Sequence, residues 1–168
     1  EGVVIGCLTA DGSIDRAQMW KLVTAAGRLK IPLHRAVDVC ADPIKAYGQA
    51  AELGIDTILT SGQEKDCLTG MPLLKELCKL QKKMNGPKIM AGAGVSPEVI
   101  RRFLADTEIT SYHLSAKKIM DSGMQYRKEG VPMGLPAMSE YAIYRTDRAI
   151  VAEAKAVLMA HQQSMPLS

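Results

Sequence analysis

Five short apolar runs punctuate the chain at nearly regular intervals: residues 3–8 (VVIGCL), 31–37 (IPLHRAV), 56–60 (DTILT), 88–91 (KIMA) and 111–115 (SYHLS). β-Branched or large apolar residues dominate the first and third, and each run is followed by a loop rich in Gly, Asp, Ser or Pro. After most of these loops comes a segment of helical period. A spacing of roughly 25–30 residues per strand and helix is the size of a βα unit in a parallel sheet.

The helix starts are marked by local chemistry. Asp15 stands where a helix cap is needed, with Gln18 three residues on. That helix is expected to bury Met19, Leu22, Val23, Ala26 and Leu29. Asp42-Pro43 and Ser96-Pro97 pair a capping side chain with a proline that loses no needed N–H. Pro72 opens a third such helix, with Leu73, Leu74, Leu77, Leu80 and Met84 at helical spacing. Gly54 and Gly86 are placed as helix stops. A last helix is expected from about Thr146-Asp147, with Ile150, Val151, Ala154, Val157, Leu158 and His161 along one stripe and a frayed tail at 164–168. Residues 117–138 read as a long loop, a lid or an interface element.

Parallel strands need both faces covered, and repeated βα units achieve this as an open doubly wound sheet or as a closed barrel. No GxGxxG follows the first run, which counts against a dinucleotide-binding sheet. Polar residues gather at the C-terminal end of nearly every run: Thr9 and Asp11, His34 to Asp38, Thr60 and Ser61, Gly92 and Gly94, His113 to Lys117. A barrel collects its functional loops on that one face. The expected fold class is therefore α/β, a TIM-type βα barrel, with about five βα units visible in this chain as a single domain over residues 1–168.

Composition narrows the partners. With 168 residues, 47% apolar and 23% charged, the chain is long enough for one real core. A net charge of +3 without a Lys/Arg block points away from nucleic acid. No apolar run approaches the roughly 18 residues of a membrane span. Four cysteines without CxxC spacing read as reduced thiols, and a cytoplasmic location is expected. The chain opens on Glu1 and is already in an apolar run two residues later, as expected of the later part of something longer.

Seven motifs at the run ends occur in order: LHRAVD (33–38), LTSGQ (59–63), IMAGAGV (89–95), HLSA (113–116), DSGM (121–124), VPMG (131–134) and SEY (139–141). This set resembles the copper-homeostasis CutC family. The resemblance runs from Gly2 to the final helix and implies a cytoplasmic (βα)8 barrel, often a homo-oligomer, with a name referring to copper. It matches the family from its fourth βα unit onward. The first three units, with the early cysteines usually put forward as copper ligands, are absent from this chain. Leu114 also stands where the family's HCSA motif has a cysteine.

Several residues are candidates for chemistry. If residues 31–37 continue as a strand, His34 and Asp38 share a face and Arg35 points away. His34, Arg35 and Asp38, with His113, are the candidate catalytic set, able to do acid–base work or to hold a metal through the two imidazoles. The plain alternative is an interior hydrogen-bond network tying strand to strand. Gly92 and Gly94, with the helix start at Ser96-Pro97 and with Lys117, form a candidate anion cradle. The alternative is a tight turn needing glycine for its backbone angles. Thr60, Ser61 and Ser115 supply hydroxyls that could bind a polar ligand or cap strand ends. Cys40 and Cys67, in loops on the same face, are the candidate copper(I) ligands, soft sulfur suiting that ion. The scattered methionines read as core filler.

Three readings remain open. One is a binding or regulatory protein of copper homeostasis. Another is a TIM-barrel enzyme acting on a small anionic or phosphorylated metabolite. The third is an inactive fragment or interaction protein.

Overall fold

The computed structural model describes residues 1–131, 133–134 and 139–164. Its centre is a four-stranded parallel sheet of β1 (Pro32–Leu33), β2 (Thr57–Thr60), β3 (Lys88–Ala91) and β4 (Ser111–Tyr112). The strands lie side by side in chain order, β1-β2-β3-β4. A doubly wound sheet reverses direction at a switch point, whereas barrel units add neighbours always on the same side. This order is of the second kind. The N-terminal run continues the sheet beyond β1. Gly2 bridges Lys30 and Ile5 bridges Leu33, both in parallel sense. That run makes two isolated bridges instead of the continuous strand expected at 3–8, so four strands and a bridged edge stand where five strands were expected.

The helices form where local chemistry places them. Asp15 accepts the Gln18 amide and starts α1 (Arg16–Ala26). Asp42 accepts from Lys45 at the start of α2 (Pro43–Glu52), and Ser96 accepts from Val99 at the start of α4 (Pro97–Asp106). Between them α3 spans Met71–Met84 and ends on Asn85 in the left-handed region. Gly54, at φ +76, turns the chain out of α2. The final helix, α5 (Arg148–Ser164), packs on α4 and buries Ala154. The fraying expected at 164–168 falls, beyond Ser164, outside the described residues.

The core lies between sheet and helices. Leu33, Ile58, Leu74, Leu77 and Phe103 are completely or almost completely buried. Phe103 meets Tyr112 edge-on, with centroids 6.1 Å apart. Tyr47 is fully buried and donates its hydroxyl to the Pro87 carbonyl at 2.9 Å. Burial pushes that phenol up to about 12. Tyr47→Phe leaves the carbonyl unpaired, and a loss of about 1–2 kcal/mol is expected in urea unfolding.

Three expectations need correction. First, α1 buries Met19 and half-buries Val23 and Ala26, but Leu22 and Leu29 are exposed. No described element covers that flank of the helix, where Trp20 is also exposed. Second, the run 31–37 leaves the strand after Leu33. Residues Arg35–Val39 form a 3-10 helix. The His34 side chain accepts the Ala36 amide, and Arg35 pairs with Asp38 at the i,i+3 spacing that a helical turn brings together. Third, the segment expected as a loop at 117–138 begins with a strand, β5 (Lys117–Asp121). It pairs antiparallel with β6 (Ala142–Thr146), from Lys117 opposite Thr146 to Asp121 opposite Ala142. All of β5 and nearly all of β6 are exposed, so the hairpin stands away from the core.

Candidate functional site

At the C-terminal ends of the strands a pocket of about 530 Å³ opens, within the range of small-molecule sites. The strand ends from β1 to β4, the start of β5 and α5 contribute, and the N-terminal run does not. Arg35 comes from the 3-10 helix after β1, and Leu59 from β2. Ala93, Gly94, Val95 and Ser96 form the turn from β3 into α4. His113, Leu114, Ser115 and Ala116 follow β4, Lys117 begins β5 and Ile150 comes from α5. A larger groove between α3 and α4 lies on the outer helical layer, away from the strand ends.

The lining carries two fixed cations, Arg35 and Lys117, one imidazole, His113, and two serines. Among the described residues no carboxylate lines it. The apolar wall of Leu59, Val95, Leu114 and Ile150 lowers the local dielectric, which strengthens attraction for an anion.

Arg35 is held from behind. Its Nε donates to Asp38 Oδ2 at 2.6 Å and its Nη2 donates to Ser61 Oγ at 2.9 Å. The Asp38 carboxylate is almost wholly buried, while the Arg35 side chain is about half exposed. Asp38 also accepts from the Thr60 hydroxyl, the Ser61 amide and the Gln63 amide. Burial pushes the Asp38 carboxyl up, but the hydrogen bonds from Thr60, Arg35, Ser61 and Gln63 outweigh it and hold it below the usual carboxylate range. Thr60 and Ser61 are themselves buried, and Ser61 Oγ also contacts the Glu64 carbonyl at 2.6 Å. Their hydroxyls serve this network and do not line the pocket.

The placement of the expected residues is mixed. Arg35, Gly94, His113, Ser115 and Lys117 come together. His34 and Asp38 do not share a face. The 3-10 helix turns Asp38 into the β2 end, and the His34 ring lies against Gly6, where an added Cβ would come within 2.5 Å of it. Gly92 is a spacer: its amide donates to the Thr60 carbonyl, and a Cβ there would meet Leu59 at 2.6 Å. Gly94, at φ +71, is needed for the turn itself. The α4 start is partly neutralised by Glu98 in its first turn, so the two cations carry most of the pocket's charge preference.

Ala93 and Ala116, both lining the pocket, have positive φ values of 69° and 46°. Nothing in an alanine's sequence neighbourhood marks such a position. Ile150 reads as part of a core stripe but faces the pocket, which only the docking of α5 reveals.

The two candidate thiols are buried. Cys40 is pushed up by burial and further by the carboxylates of Asp42 and Asp38, and burial pushes Cys67 up to about 11. Among the described residues no group of three or more His, Cys, Asp and Glu side chains is placed to hold a metal ion. None of the described helices is long and apolar enough to cross a membrane.

With this geometry in view, comparison with known proteins is decisive for kinship. The family model described as "CutC family" matches residues 1–118. The chain belongs to the CutC family. A CutC family protein of Citrobacter koseri is 43% identical over 162 residues, covering 96% of this chain and 64% of that protein. One of Parabacteroides distasonis is 47% identical over 149 residues, covering 88% and 60% respectively. The chain thus spans less than two thirds of the length of these CutC relatives. A crystal structure described as the putative copper homeostasis protein CutC of Streptococcus agalactiae superposes with a TM-score of 0.60. It is 27% identical, over 66% of this chain and 53% of that one. The family match ends inside β5, so most of the hairpin and α5 lie beyond it.

Proposed function

We propose that this CutC-family chain binds a small anionic metabolite, of the phosphate or phosphomonoester class, in the pocket at the strand ends. The observation that carries the reading is the lining: Arg35, Lys117 and His113 converge, and among the described residues no carboxylate lines the pocket, Asp38 holding Arg35 from behind it. A guanidinium fork matches phosphate oxygens two at a time, and the ammonium adds a point charge. The apolar wall would take the organic part of the ligand. His113 beside the anion supports the enzymatic version of the same reading, with its imidazole moving a proton to or from the bound ligand.

A copper role is supported by the name of the Streptococcus relative and by this chain's two thiols on the same face. A copper(I) ligand is a thiolate, and burial raises both Cys40 and Cys67, so the ion would have to displace a proton from each thiol on binding. Four free cysteines support a reducing, cytoplasmic setting.

The test is an NMR titration with inorganic phosphate and with phenyl phosphate, alongside copper(I) held by a competing chelator. Saturable shifts at Gly94, His113 and Lys117 are expected with both phosphates, the monoester tighter. Stoichiometric copper(I) uptake abolished by Cys40→Ser or Cys67→Ser, with no phosphate response, would replace the anion reading by the metal one.

A further inference from the structure

We infer that Asp38 is a positioning residue, which fixes Arg35 so that the outer edge of its guanidinium is presented to the pocket as a two-pronged donor. The inference deepens the anion-site reading and rests on it for the identity of the ligand, but not for the geometry.

The argument starts from donor arithmetic. A guanidinium has five N–H groups in one plane. Here Nε is engaged by Asp38 and Nη2 by Ser61, neither of which lines the pocket that Arg35 lines. The Nη1–Nη2 edge is thereby left to face whatever enters. An arginine held at one side only, or by solvent, would sample many rotamers and pay for ordering when a ligand binds. Asp38 removes that cost in advance. It can do so because it is immobile: its carboxylate is 6% exposed and takes donors from the Thr60 and Ser61 positions at the end of β2 and from Gln63 beyond it. The rigid strand end therefore sets the carboxylate, and the carboxylate sets the guanidinium.

Arg35 helps keep the buried Asp38 ionised, and it shares that task with three other donors. Asp38 accepts from Thr60, Ser61 and Gln63 without it. The 3-10 turn also has its own cap in His34. The added arginine is the one member of the network that reaches out of it, from the buried strand end to the pocket lining.

Asp38→Asn tests this. The amide keeps the size and one accepting oxygen but presents a neutral group to Arg35 Nε. Two readouts are taken on the folded protein, its integrity checked by the amide spectrum. The first is solvent exchange of the Arg35 Nε–H, expected to quicken by about tenfold or more in Asp38→Asn as the charge-assisted bond is lost. The second is phosphate affinity, expected to fall about tenfold in Asp38→Asn and to fall no further when the change is made in an Arg35→Met background. A purely structural Asp38 would lower affinity equally in both backgrounds, and that result overturns the inference. If Asp38→Asn fails to fold, Thr60→Val, which loosens the carboxylate from one side, is read in the same two ways. If the wild-type protein binds no phosphate, the anion reading fails on its own, and the exchange measurement still decides: an Arg35 Nε–H that exchanges at the wild-type rate in Asp38→Asn overturns the positioning role.

Discussion

Gly70→Ala should destabilise the protein by about 3 kcal/mol or more, whereas Gly48→Ala should stabilise it by about 0.5–1 kcal/mol. The contrast follows from what each new methyl group meets. At Gly70, just before α3, a Cβ would lie 1.9 Å from the Ser61 carbonyl oxygen and 2.9 Å from Gly62 Cα. Across the same contact, a Cβ on Gly62 would lie 2.3 Å from the Gly70 oxygen. Both obstacles are backbone, and no rotamer change can relieve them. The two glycines close a loop whose far side holds Cys67, with its amide bonded to the Ala93 carbonyl, so the strain would spread into the turn beside the pocket. At Gly48 nothing lies within 4 Å of the added carbon, and the residue sits inside α2. There alanine only removes the freedom of glycine in the unfolded chain. Urea midpoints for the two variants check the pair. A stable Gly70→Ala protein would mean that the Ser61 strand end can move, and the fixed support behind Arg35 would fall with it.

What the sequence makes legible is local. The caps at Asp15, Asp42 and Ser96 act over three residues, and all three form as the spacing predicts. The strand-plus-helix rhythm is also visible, and with it the parallel sheet. What is hidden depends on competition between local periods or on distant docking. The apolar run 31–37 reads as a strand, yet the His34 cap and the Arg35–Asp38 pair favour a helical turn from residue 35. That one change exchanges the faces: Arg35, which strand alternation points away from His34, enters the pocket, and His34 stays out of its lining. A slip in period therefore reassigns the chemistry without altering the fold. The hairpin is hidden for a different reason. Its strands are separated by residues 122–141, far beyond the short turns that announce a hairpin, and its exposed faces leave no alternation of apolar and polar residues.

The exchange of faces yields an ordered result for phosphate binding. Arg35→Met should weaken it about 100-fold, Lys117→Met about tenfold, and His34→Ala by about twofold at most. Arg35 heads the series because its fork is ordered before the ligand arrives and because a methionine removes two charge-assisted bonds at once. Lys117 carries the same charge but starts the exposed strand β5, with its Nζ 5.1 Å from the centre of the Tyr144 ring. An ammonium there stays partly solvated and exchanges one attraction for another when an anion binds. Its share should also shrink as salt is raised, since the Debye length falls to about 3 Å at 1 M. The Arg35 share should shrink less, because its half-exposed guanidinium is fixed by the buried Asp38 and sits against the apolar wall. His34 is the control: it caps the 3-10 turn from outside the pocket, and its loss costs some local stability but no ligand contact. Titrations of the three variants at two salt concentrations separate these terms. A larger loss from Lys117→Met than from Arg35→Met would move the anion onto the hairpin side of the pocket. A dominant effect of His34→Ala would return the site to the geometry expected if the run 31–37 continued as a strand.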